Sequence, residues 1–404
     1  MRRRPIALAV AAVLVLGFLL WRFLRPMNIF VVGERFAWPV DTRDAPAALA
    51  ELRARDCGAC HGAFRAEWQT SMHSRAWTDP YFQADWSFDR RQYICRLCHT
   101  PLDRQQPGRV LGYRDASRWL PILGDNPGFD PALQHEGVTC AACHYRQGAI
   151  VGVLGTTSAP HPVRRIEDPN LVCVRCHVVD GDRWDTFYRF PPCGTVAEIR
   201  SAPRGGSTGE ITASDARSLG CVQCHMPAVR RPLVDAGVER NTRRHLWRGG
   251  HDVEMVRRAL GVQFAELAAS SRGRRRVRLT ITNTGAAHYV PTGTPDRHLT
   301  VRLRLMDRDD RVLASARHTL RRWVMWRPFI VDLWDTRLAP GAPRRYELEV
   351  PAKGGAVWAE AEVRYHLLTD RRRRRIGYRN ETPIDYEVVR LRIPLGEERE
   401  GGKP

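Results

Sequence analysis

Lysine is nearly missing from this chain. Of the 64 lysine and arginine residues among 404, only Lys353 and Lys403 are lysines. A formal net charge of +20 would by itself invite a nucleic-acid reading. A basic excess carried so one-sidedly by arginine reads instead as coding bias, and no nucleic-acid partner is expected. Cysteine stops at Cys224, which confines thiol chemistry to the first part of the chain. The opening apolar run lacks an Ala-x-Ala after it and continues as Trp21-Arg22-Phe23-Leu24-Arg25-Pro26. That absence counts against a removed export signal and favours a retained membrane anchor over residues 1–26, with Arg2, Arg3 and Arg4 on the cytoplasmic side. In either case the remainder is exported.

What is present is one frame repeated. It reads Cys57-Gly-Ala-Cys60-His61, Cys95-Arg-Leu-Cys98-His99, Cys140-Ala-Ala-Cys143-His144, Cys173-Val-Arg-Cys176-His177 and Cys221-Val-Gln-Cys224-His225. The frames start at 57, 95, 140, 173 and 221, at intervals of 38, 45, 33 and 48 residues, too uneven for a solenoid repeat. On a helical turn, positions i, i+3 and i+4 share a face, so two thiols can reach the vinyl groups of one porphyrin while the histidine points at its iron. Each pentad is thus expected to hold one covalent haem c, five in all. Zinc sites, redox pairs and a disulfide framework are the alternatives, and none of them needs a histidine straight after every second cysteine.

Fourteen histidines leave nine beyond the pentads. His73 in "EWQTSMHSRAW", His135 just before Cys140, His161 in "SAPHPVRR", His245 in "HLWRGGHD" and His288 in "NTGAAHYVPTG" are the expected second axial ligands, with His245 preferred over His251. His298, His318 and His366 fall in strand-like segments and read as ordinary residues there. Ligand count decides function, because an iron with two histidines suits electron transfer whereas an open position can bind a small molecule. Cys193, the cysteine outside the pentads, reads as a buried free thiol, or as an unusual ligand or cross-link near Tyr188.

Roughly forty residues per haem cannot build a separate apolar core around each one, so the porphyrins themselves are expected to form the interior, among short helices and irregular loops such as 123–131 and 201–210. After about residue 270 apolar and polar residues alternate in "RVRLTITN", "LTVRLRLMD", "RVLASARHTL", "RRYELEVP", "VWAEAEVRYHL" and "YEVVRLRIP", the period of half-buried strands. The expected fold class is therefore α+β: a haem-rich, mostly helical or irregular domain over 27–250, a linker helix within 251–270 capped by Asp252 and closed by Gly261, and an all-β sandwich-like domain over 271–404. The run Arg371 to Arg375 reads as a solvated loop, with a docking patch for an acidic redox partner as the sharper alternative.

The phrases "EWQTSMHSRAW", "HEGVTCAACH", "CVQCHMP" and "HLWRGGHD", followed by "NTGAAHYVPTG", together resemble the periplasmic multihaem cytochromes c, the superfamily of the tetrahaem cytochrome of ammonia oxidisers and the hydroxylamine oxidoreductases. The resemblance covers about residues 50 to 295. It implies bis-histidine haems in parallel and perpendicular pairs, and a periplasmic electron carrier between redox proteins or a membrane quinol-linked donor. Two departures count against catalysis: the nitrite-reducing pentahaem members carry lysine for one pentad histidine, and the hydroxylamine oxidoreductases have a long helical C-terminal region where this chain has strands. The enzyme alternative is an oxidoreductase acting on a small nitrogen or sulfur compound at an open haem.

Overall fold

The computed structural model describes residues 3–24, 36–116, 118–155, 158–177, 186–191, 193–201, 220–268, 274–351 and 355–396. It opens with α1 (Arg3–Leu24), an apolar helix with a mean hydropathy of 2.4 over Pro5–Leu24. Short helices follow: α2 (Ala54–Gly58), α3 (Gly62–Gln69), α4 (Pro80–Phe88), α5 (Arg96–His99), α6 (Pro131–His135), α7 (Cys140–His144), α8 (Val174–His177), α9 (Thr195–Arg200), α10 (Cys221–His225), α11 (Val253–Arg258) and α12 (Asp370–Ile376). Their starts are chemically marked. Asp79 accepts from the Phe82 N–H at 2.9 Å and Asp130 from the Ala132 N–H at 2.9 Å, each followed by a proline at the first helical position.

Between these helices the first half also builds small sheets. β1 (Gly108–Tyr113) pairs with β2 (Pro121–Asp125), β3 (Tyr145–Arg146) with β4 (Ala149–Gly152), β4 in parallel with β5 (Val163–Arg165), and β7 (Ala228–Pro232) with β8 (Glu239–Arg243). β6 (Thr186–Phe187) joins a sheet of the second half. That half consists of β9 (Leu260–Leu267), β10 (Arg274–Asn283), β11 (His298–Met306), β12 (Val312–Met325), β13 (Ile330–Asp335), β14 (Pro343–Pro351), β15 (Trp358–His366) and β16 (Asp385–Pro394). One sheet has the order β14-β10-β9 and the other β16-β15-β11-β12-β13-β6. Period-two patterning aims Leu279 and Ile281 of β10 at Leu299, Val301 and Leu303 of β11 and at Val363 of β15, and these close a core between the sheets.

The expected α+β class with a mostly helical first domain is overturned. Of the described residues 29% are helical and 33% are strand, mainly β, with sheets on both sides of residue 250. The physical reason is that a pentad needs only one helical turn; the chain between pentads returns through two- to six-residue strands rather than longer helices. Leu123 to Asp125, expected as loop, belong to β2. The loop expected at 201–210 lies outside the described residues from 202 onward. Asp252 does cap α11, accepting from the Met255 N–H at 2.8 Å, but the helix stops at Arg258 and Gly261 sits inside β9 instead of closing it. Arg371 to Arg375 form α12 rather than a loop, with Arg372 bonded to Asp85 of α4 at 2.6 Å.

Candidate functional site

The five pentads lie on helical turns, so each places two thiols and a ring on one side. The turn is explicit where the His61 N–H bonds the Cys57 carbonyl at 2.9 Å and the His177 N–H the Cys173 carbonyl at 3.1 Å. Four of the pentad rings are fixed through Nδ1. His61 bonds the Leu233 carbonyl at 2.7 Å, His99 that of Ala76 at 2.6 Å, His144 that of Val151 at 2.8 Å and His225 that of Arg248 at 2.6 Å. Tying Nδ1–H to a carbonyl leaves Nε2 as the free lone pair, the tautomer a metal requires.

Three pentad rings face a second histidine. The ring centres are 6.0 Å apart for His144 and His245, 6.4 Å for His225 and His288, and 6.5 Å for His73 and His177. A metal between two trans imidazoles holds their centres about 6.3 Å apart, from a bond of about 2 Å and about 1.1 Å from nitrogen to ring centre. His245 and His288 repeat the tethering, with Nδ1 at 2.9 Å from the carbonyls of Arg243 and Tyr289. Burial favours the neutral form of three of these rings, pulling His73 down to about 3, and His177 and His245 to about 4.

The other expected ligands are placed differently. His135 ends α6 on the exposed side, and His161 makes a 3.4 Å contact to the Pro162 carbonyl at the surface. Among the described ring contacts none joins His61 or His99 to a second histidine; His99 instead stacks on Phe82 at 3.7 Å. His251 is deep enough that burial lowers its ring to about 4. His298 and His366 stack on each other at 4.3 Å, and His318 stacks on Tyr346 at 4.5 Å, all within the sheets. Cys193 is a free thiol raised by burial.

The pentad helices pack against one another: α2 meets α7, α5 meets α8, and α10 meets the turn at 169–172 that leads into α8, where the Val222 N–H bonds the Asn170 side chain at 3.1 Å.

Residues outside the motifs hold the ligands in place. Glu67 of α3 accepts both Arg231 guanidinium nitrogens at 2.8 Å, Arg244 at 2.9 Å and the His245 N–H at 2.8 Å. Burial alone would raise this carboxyl, but the arginines and the His245 N–H hold it below its ordinary value. Gly137 has φ +62°, and a Cβ there would sit 2.8 Å from the His73 carbonyl, which accepts the Val138 N–H at 2.9 Å. Glu136 bonds the Ala54 N–H at 2.8 Å and the Thr139 hydroxyl at 2.6 Å, tying the first pentad's helix to the third's. Glu198 of α9 accepts the Tyr289 N–H at 3.1 Å and Arg337 at 2.6 Å, which fixes the segment carrying His288. Sequence reasoning missed these supports: Glu67 and Gly137 lie inside phrases it singled out, but their partners are distant in the chain.

Among the described residues no three His, Cys, Asp or Glu side chains converge as zinc would require. Thiol pairs set on one helical turn and histidine rings paired at 6.0–6.5 Å fit haem c instead. A penta-haem cytochrome c552 from Thermochromatium tepidum matches with a TM-score of 0.62 at 19% identity, over 86% of this chain and 100% of that one. The two chains share a fold. Over about a third of this chain there are also matches to a glycosyl hydrolase family 2 member from Bacteroides cellulosilyticus (TM-score 0.17, 14% identity, 34% of this chain and 14% of that one) and to beta-glucosidase 3B from Thermotoga neapolitana (TM-score 0.15, 16% identity, 34% and 16%). No family model and no curated protein matches the chain.

Proposed function

We propose that the chain is an exported multihaem c-type cytochrome that passes electrons between redox partners, with haem c bound through thioethers at the five pentads. One observation carries this reading: three pentad histidines each face a second histidine at the spacing of a bis-imidazole iron. His144 with His245, His177 with His73 and His225 with His288 are the proposed axial pairs. Haem bound there supplies one-electron chemistry. The chain's own contribution is to keep the rings neutral by burial, to aim Nε2 by holding Nδ1, and to place the pentads in contact.

The packing of the pentad helices supports neighbouring haem sites, the first beside the third, the second beside the fourth and the fourth beside the fifth. α1 anchors the body to the outer face of the inner membrane in this proposal, a reading supported by its length and hydropathy. The donor is then a quinol-linked or small redox protein.

His99 and His61 favour a second reading. Among the described ring contacts neither His99, on which Phe82 stacks, nor His61 faces a second histidine, so the second pentad, like the first, is suited to an open position and to a small nitrogen or sulfur ligand. Electron paramagnetic resonance of the purified protein, with a haem count per polypeptide, separates the two. Five low-spin haems that ignore cyanide and hydroxylamine support the carrier. A high-spin fraction that shifts with those ligands supports the enzyme. A colourless protein with the mass of bare polypeptide removes both.

A further inference from the structure

The last turn of α1 meets the tip of the β12–β13 hairpin. Phe18 lies 6.5 Å from Phe329 between ring centres, the Arg22 guanidinium sits 5.6 Å over the same ring, and Arg327 donates to the Phe23 carbonyl. Around this contact the sheet edge presents large apolar side chains to the outside: Phe187 at 58% exposure, Trp334 at 53% and Leu333 at 49%, with Trp326 beside them. Phe187 packs edge-on against Phe329 at 6.1 Å, so the group is continuous. A soluble surface rarely gathers such residues at one edge without a partner.

We infer that this edge rests in the headgroup layer of the membrane that α1 crosses, with phospholipid as its occupant. The inference depends on the anchor reading of α1. Arg327 bonds the Phe23 carbonyl one residue from the end of the apolar span at Leu24, so the hairpin tip meets α1 at the boundary of headgroups and acyl chains, and Phe329 reaches inward toward Phe18, about 9 Å along the helix at about 1.5 Å per residue. Tryptophan and phenylalanine beside arginine are the side chains that favour that layer, and the exposed Arg327 stands where anionic headgroups would meet it. The hairpin then holds the pentad-bearing half at a fixed height and orientation over the bilayer.

Photocrosslinking tests this on the full haem-loaded chain in nanodiscs of phosphatidylethanolamine and phosphatidylglycerol carrying a diazirine lipid, with adducts mapped by mass spectrometry. Adducts are expected on α1 and on residues 326–334. The double variant Phe329→Ser, Trp334→Ser should lower the hairpin adducts about tenfold, the order expected for two lost apolar contacts, while α1 labelling and the haem spectrum stay as they were. Labelling of α1 without the hairpin would leave the aromatic edge to a protein partner and overturn the inference while sparing the anchor. An unlabelled α1, or a mature chain that lacks it, would overturn both.

Discussion

At the residue scale, single groups do the positioning. Gly137 combines a left-handed backbone with a 2.8 Å approach to the His73 carbonyl, so Gly137→Ala meets strain and a clash together. Denaturant titration should show a loss of about 1–3 kcal/mol, and the low-spin signal assigned to the His73 site should shift. His245→Gly should open one axial position, giving a cyanide-sensitive high-spin signal that integrates to one haem. The stacked pair His298 and His366 makes a separate statement about pH. Burial and the neighbouring ring pull His366 down to about 4, below its unfolded value of about 6.5. Between those two values the unfolded chain binds more protons, so stability rises with pH across that window and falls as pH drops from about 6.5 to about 4. The partly exposed ring limits the effect to about 1–2 kcal/mol. His366→Gln should flatten the dependence in denaturation midpoints taken at pH 7 and pH 4.5.

At the scale of elements, the buried pair of Glu198 on α9 and Arg337 after β13 joins the two halves of the molecule. Burial works against the Arg337 charge, but Glu198 and Asp335 outweigh it and hold its pKa above the ordinary value. Removing one partner strands the other, so Glu198→Ala should cost about 3–5 kcal/mol and disturb the haem proposed at His288, read by unfolding and by absorption. A paired replacement, Glu198→Leu with Arg337→Met, should recover much of that stability. These elements also show what a sequence can and cannot disclose. Six of the strands after residue 270 were legible because apolar and polar residues alternate along them; β10 alternates through Val277, Leu279 and Ile281. The pentads were legible because their chemistry is local. β9 and β13 were not, since β9 starts two residues after α11 ends and reads as its continuation, while β13 follows a turn rich in aromatics and arginine. The short strands of the first half carry no alternation long enough to register, and the pairing of His73 with His177 depends on packing that no spacing encodes.

At the scale of the whole molecule, charge and contact order set the behaviour. Arg372 is engaged with Asp85 and Asp89, so part of the arginine run serves to dock α12 on α4 rather than to greet a partner. The overall excess of +20 still produces a long-range field. Reduction by an acidic redox protein should therefore slow several-fold between about 50 mM and 200 mM salt in stopped-flow measurements, whereas reduction by a neutral small molecule should not. The packing of the pentad helices carries a last consequence. With α2 held against α7 and α5 against α8, neighbouring motifs close over one another as the chain folds. On the proposed reading each cofactor is stitched into an open polypeptide before its neighbour's turn swings over it, so that folding here is the closing of a book whose pages were bound beforehand.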